Sequence, residues 1–137
     1  MMKTIIDFKE IEHLIFKKFD LRTEIERNND DTVIFHIKSI GLLGTTSNWH
    51  LSIDRTYDTI NSLKLRISGN ILSNFAIPQL LKHIDFNCKD AINVENDGNI
   101  IVNLAEIVQL KRFFELYTLN YVSFTKSAVN AEFTLII

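Results

Sequence analysis

Three stretches of this chain alternate strictly between apolar and polar residues, and that alternation constrains the fold more than any other feature. Val33, Phe35 and Ile37 are separated by single residues, as are Trp49, Leu51 and Ile53. Leu63, Leu65 and Ile67 interleave with Lys64, Arg66 and Ser68 in the same way. Side chains two apart share one face of a strand, so each stretch reads as a strand with one buried and one wetter face. Leu21, Thr23 and Ile25 extend the pattern upstream of a polar turn at Asn28-Asn29-Asp30-Asp31. Four strands in series with short connections predict an antiparallel meander.

Helical signals flank the meander. Asp7 stands three residues before Glu10, a capping-box spacing with Asp in place of Ser or Thr, and Phe8, Ile11, Ile15 and Phe19 recur at helical steps behind it. This predicts a helix over residues 8–19. Gly69-Asn70 breaks the strand pattern, and Pro78, which has no N–H to give, sets the start of a second helix near residues 78–85. Residues 91–95 and 100–102 flank Asn96-Asp97-Gly98-Asn99, where Asp-Gly predicts a hairpin. Asn103 and Glu106 repeat the capping-box spacing ahead of Leu104, Ile107, Val108, Lys111 and Phe114, the stripe of a third helix. Strands over residues 119–124 and through Val129, Ala131, Phe133 and Leu135 close the chain.

The predicted fold class is α+β. A single domain over residues 1–137 carries a mostly antiparallel, strongly curved sheet of about eight strands, packed with three helices. Ile6-Asp7-Phe8-Lys9-Glu10-Ile11 also parallels Val102-Asn103-Leu104-Ala105-Glu106-Ile107, each opening a capped helix that feeds a two-strand ribbon. A degenerate internal repeat and the generic grammar of helix–hairpin units both account for that parallel.

Composition bounds the function. With 137 residues and ten Phe, the chain has the size of one domain and ample material for a core. Fifteen basic and seventeen acidic residues leave a net charge of −2, which argues against a nucleic-acid partner. Cys88 is the single cysteine, so no internal disulfide forms. The start of the chain lacks the apolar run of a signal peptide, and no stretch approaches a membrane span. A soluble, cytoplasmic protein is the expectation.

Catalytic signatures are sparse. Of His13, His36, His50 and His83, no two stand three or four residues apart, and no Cys-x-x-Cys occurs, so no metal pair is predicted. Cys88 sits between Asp85, Lys89 and Asp90, a setting for a structural thiol rather than an activated nucleophile. Glu95-Asn96-Asp97-Gly98-Asn99 has oxygen ligands but not EF-hand spacing, and reads as a turn. No catalytic residue, metal or cofactor is therefore expected. Gly41-Leu42-Leu43-Gly44 reads as a loop tip whose two leucines either fold onto the core or touch a lipid, ligand or partner. Leu42, Leu43, Trp49 close behind them, and Phe75 are the candidate ligand-binding residues.

Ile77-Pro78-Gln79-Leu80-Leu81, the hairpin from Val94 to Val102, and Asn103-Leu104-Ala105-Glu106-Ile107 follow one another in an order that resembles small bacterial proteins related to tubular lipid-binding (TULIP-like) domains. The resemblance covers roughly half the chain and implies a long curved sheet wrapped around a helix, with acyl chains held in its apolar groove. The function expected is a non-catalytic binding module for a lipid or other hydrophobic ligand. The alternative is a protein-interaction module, immunity- or adaptor-like. An enzyme using His50, His83 and Cys88 ranks third.

Overall fold

The computed structural model describes residues 2–38, 46–69, 91–95 and 99–136. In chain order these form β1 (Met2–Asp7), α1 (Phe8–Phe19), β2 (Arg22–Asn29), β3 (Thr32–Lys38), β4 (Thr46–Ile53), β5 (Ser62–Gly69), β6 (Ile92–Val94), β7 (Asn99–Asn103), α2 (Lys111–Leu116), β8 (Tyr117–Phe124) and β9 (Ala128–Leu135).

The first helix takes the predicted span. Phe8 is buried and Ile11 and Ile15 are half-buried along one stripe. The helix ends where Asp20 turns left-handed (φ 56°) and its amide donates to the Phe16 carbonyl at 2.9 Å. Lys17 and Lys18 in the last turn suit the negative end of the dipole. Asp7 occupies the N-cap position with extended backbone, yet its side chain makes no capping hydrogen bond. It is also the last residue of β1, opposite Ala128, so the helix start is set by the end of a strand rather than by a capping box.

The predicted meander forms and joins a larger antiparallel sheet in the order β2-β3-β4-β5-β7-β6. Its register sets Val33 opposite Leu51, Phe35 opposite Trp49, and Ile53 opposite Leu65, so the alternating apolar residues share one face. The other face carries His36 opposite Asn48 and Arg66 opposite Ser52. A second antiparallel sheet, β1-β9-β8, closes over the apolar face. Phe8, Val33, Ile53, Val122 and Phe124 form the buried centre, with Val33 only 1% exposed. Leu119 and Val122 are three residues apart and both face this core, because the pairing of β8 with β9 slips by one residue between Leu119 and Tyr121. A second cluster, Phe113 and Phe114 of α2 with Tyr117 of β8 and Phe133 of β9, joins that helix to the small sheet with ring centroids 4.8–6.2 Å apart.

Two turns of the large sheet grip the edge of β8. The Phe124 amide donates to the Asp30 carbonyl at 2.9 Å, and Arg27 Nε donates to the Phe124 carbonyl at 3.0 Å. The Leu119 amide donates to Asn61 Oδ1 at 2.9 Å.

The expected single curved sheet of eight strands with three helices is thus corrected. The described residues hold two sheets, nine strands and two α-helices, and neither sheet closes on itself. The added strand is β1, which pairs with β9 at the far end of the chain, a contact that local periodicity cannot show. The predicted third helix breaks into 3-10 turns at Leu104–Glu106 and Val108–Leu110 before α2, with Ile107 extended between them. Asn103 does not cap it; its Oδ1 accepts the Ser62 hydroxyl at 2.7 Å and ties β7 to β5.

Strands β6 and β7 pair antiparallel as the predicted hairpin requires, with Ile92 opposite Val102 and Val94 opposite Ile100. The order strand, helical segment, hairpin occurs twice, in β1-α1-β2-β3 and β7-α2-β8-β9, but the two hairpins enter different sheets. The helix predicted near residues 78–85, the Gly41-to-Gly44 loop, His83, Cys88 and the Asp97-Gly98 turn lie outside the described residues. Among the described residues no helix is long and apolar enough to cross a membrane.

Candidate functional site

Of the four residues nominated from sequence, Leu42, Leu43 and Phe75 lie outside the described residues. Trp49 is half-buried on the inner face of the large sheet, between Phe35 and Gly69. Its indole N–H is shielded from solvent and has no hydrogen-bond partner among the described residues.

A groove lies one rung away, where α1 meets the edge of the large sheet. Strand β2 is an edge strand, and an unpaired edge N–H needs an acceptor. Glu12 Oε2 accepts the Ile25 amide at 2.9 Å and holds the helix against that edge. Lys9, Glu12, His13 and Phe16 recur at helical steps beside the core stripe, so they share one side of α1. Across from them stand Arg22, Thr23 and Glu24 of β2, with His36 and Lys38 of β3. Together they line a solvent-open groove of about 550 Å³.

Three features define its chemistry. Among the described residues, none of Lys9, Arg22 and Lys38 has a carboxylate within 4.0 Å, so three cations face one concavity unpaired. Thr23 is only 8% exposed, and its hydroxyl has no partner among the described residues. A buried hydroxyl without a partner costs about 1–3 kcal/mol. Phe16, 43% exposed, adds an apolar wall.

His36 completes the rim. Its Nε2 lies 2.9 Å from Glu26 Oε2 and its Nδ1 lies 2.7 Å from Asn48 Oδ1. The Glu26 hydrogen bond first, and the Asn48 bond second, raise its pKa above the ordinary 6.5. Two acceptors facing two ring nitrogens suit an imidazolium and leave neither nitrogen for a metal or for proton abstraction.

A second concavity of about 490 Å³ lies between the β4–β5 turn and β8. Two of its charged groups are engaged internally. Asp54 accepts the Thr56 hydroxyl at 2.6 Å and the Thr56 amide at 3.0 Å, which hold its carboxyl below the usual range. Arg55 pairs with Asp31 at 2.7 Å and lies 4.3 Å over the Tyr121 ring. Among the described residues no cluster of three or more His, Cys, Asp or Glu is placed to hold a metal ion.

Sequence reasoning missed Lys9, Phe16, Arg22 and Lys38. The stripe of Lys9, Glu12, His13 and Phe16 was legible in helical spacing, whereas its juxtaposition with Arg22 and Lys38 required the fold. No protein-family model, curated protein or solved structure matches this chain.

Proposed function

We propose that this chain is a non-catalytic binding module for an amphipathic anion, a lipid or other hydrophobic ligand with an acidic head group. The observation that carries the reading is the trio of cations, Lys9, Arg22 and Lys38, which have no carboxylate partner among the described residues and line a groove with an apolar wall at Phe16. The Glu12 and Glu24 carboxylates also line the groove, Glu12 being engaged by the Ile25 amide, and an anion between the three cations would gain charge-assisted hydrogen bonds. In this reading the three cations hold the head group and Phe16 touches the start of the apolar part.

Thr23, Ile37 and Ser47 form one rung of the inner face, and Ile25, Phe35 and Trp49 form the next. The small sheet packs over Ile25 and Phe35, so the apolar part of the ligand is proposed to lie against Phe16 at the groove. A non-catalytic role accords with His36 and Asp54, whose polar atoms are engaged in internal hydrogen bonds.

The test is a titration with a long-chain fatty acid and with the corresponding neutral alcohol, followed by native mass spectrometry. The acid should bind more tightly. Arg22→Gln should weaken the acid by about tenfold to a hundredfold, the loss of one charge-assisted bond, and leave the alcohol unchanged. Equal affinity for acid and alcohol, or no binding of either, overturns the reading.

A further inference from the structure

Two sheets have four edges, and three of them are managed. The β8 edge is occupied by the Asp30 carbonyl, Asn61 Oδ1 and Arg27. The β2 edge carries the Glu12 carboxylate, and β6 is only three residues long. Among the described residues, the edge of β1 has none of these defences. It runs for six residues, with Ile5 65% and Ile6 41% exposed. An open apolar edge of this kind is a template for another strand.

The register of β1 on β9 shows which backbone groups are free. The Phe8 amide donates to the Ser127 carbonyl at 2.8 Å, directly across the ladder. Hydrogen-bonded pairs alternate along an antiparallel ladder, so the even-numbered residues of β1 point their N–H and C=O groups at β9. Lys3, Ile5 and Asp7 therefore point theirs at the open edge. The same three side chains share the sheet face away from the core, because residues two apart lie on one face.

We infer that β1 pairs antiparallel with β1 of a second copy of this chain, about a two-fold axis at Ile5. In that register Ile5 lies opposite Ile5, and Lys3 lies opposite Asp7 on both sides. The three residues that face each other across the axis are the three whose backbone groups point outward, so the donors of each copy meet the acceptors of the other. The charges also match. Lys3 already lies 3.5 Å from Glu132, and Asp7 spends no side-chain hydrogen bond on its helix, so its carboxylate is free to meet the Lys3 of the second copy. Joined this way, two three-stranded sheets become one sheet of six strands, and the edge disappears at a closed, self-complementary interface. The contact is short against a standard interface, so the dimer forms at high concentration and weakens as salt rises.

Sedimentation of the full chain, at concentrations rising to about 1 mM, reads the association directly. The wild type should pass from monomer to dimer. Ile5→Pro removes an N–H that points away from β9, so it should keep the circular dichroism and melting temperature of the wild type and raise the dissociation constant about tenfold or more. If Ile5→Pro fails to fold, Ile5→Lys at the same exposed position is read by the same criterion. Lys3→Glu and Asp7→Lys should each be monomeric alone and should dimerise with each other when mixed, since only the mixed pair restores opposite charges across the axis. A wild type that stays monomeric throughout, a folded Ile5 variant that still dimerises, or a mixture no more associated than its parts overturns the inference.

Discussion

Asn61 is one of two places where the large sheet grips the edge of β8, and changing it separates two contributions that usually travel together. Its backbone is left-handed at φ 54°. Its carbonyl accepts the Leu104 amide at 2.9 Å, and its side-chain Oδ1 accepts the part-buried Leu119 amide at 2.9 Å. Leu119 belongs to the edge of β8 and packs against the core, so this one side chain fastens the small sheet to the β4–β5 turn. Asn61→Ala puts a Cβ without local compensation into the left-handed region, at about 1–2 kcal/mol. It also strands the Leu119 N–H, at about 1–3 kcal/mol. The sum is about 2–5 kcal/mol. Asn61→Gly loses the same acceptor but not the backbone compatibility, so it should be more stable than the Ala variant by about 1 kcal/mol. Asn61→Asp keeps an acceptor at the same place and should stay closest to the wild type. Urea unfolding of the four proteins, with matching m-values, gives the ranking wild type, Asp, Gly, Ala. Equal stability of the Gly and Ala variants would remove the backbone half of the argument, and a Gly variant as stable as the wild type would remove the hydrogen bond.

Two further predictions concern the groove. Glu12→Ala leaves the Ile25 amide without its acceptor and should cost about 1–3 kcal/mol in the same unfolding assay, whereas Glu12→Gln, which keeps an oxygen there, should cost less than half as much. A Gln variant as unstable as the Ala variant would refute the Glu12 edge contact. Glu26→Gln should move the His36 pKa back toward 6.5, followed by the ring resonances in an NMR titration. Because folding raises this pKa, the stability it contributes is complete below about pH 6.5 and is lost as pH rises through the raised value. The stability gap between wild type and Glu26→Gln should therefore be wider at about pH 5.5 than at about pH 8, and small in both cases because the His36 side chain is 32% exposed. A gap that does not change with pH would refute the assignment.

The sequence by itself determined the local elements whose side chains meet one uniform environment along their length. Strands β2 to β5 each set an apolar face against the core, so a two-residue period revealed them, and α1 keeps Phe8, Ile11 and Ile15 on one stripe, so its span was legible at both ends. The final hairpin was equally plain in Val129, Ala131 and Phe133. What only the tertiary structure decided were the features that depend on a distant partner. Met2–Asp7 is a strand because Ala128–Leu135 lies beside it, and five of its six side chains stay exposed, so no alternation marks it. The stripe from Leu104 to Phe114 has helical spacing, yet Asn103 is held by Ser62 and the Leu104 amide by the Asn61 carbonyl, and the chain enters as 3-10 turns before it can wind. The groove has the same origin. Lys9 and Phe16 reveal their side of the helix in sequence, but Arg22 and Lys38 join them only because Glu12 docks that helix on the β2 edge. Periodicity encodes which face of an element is apolar; which other element that face meets is decided by packing, where residues far apart in the chain contribute to the same few ångströms.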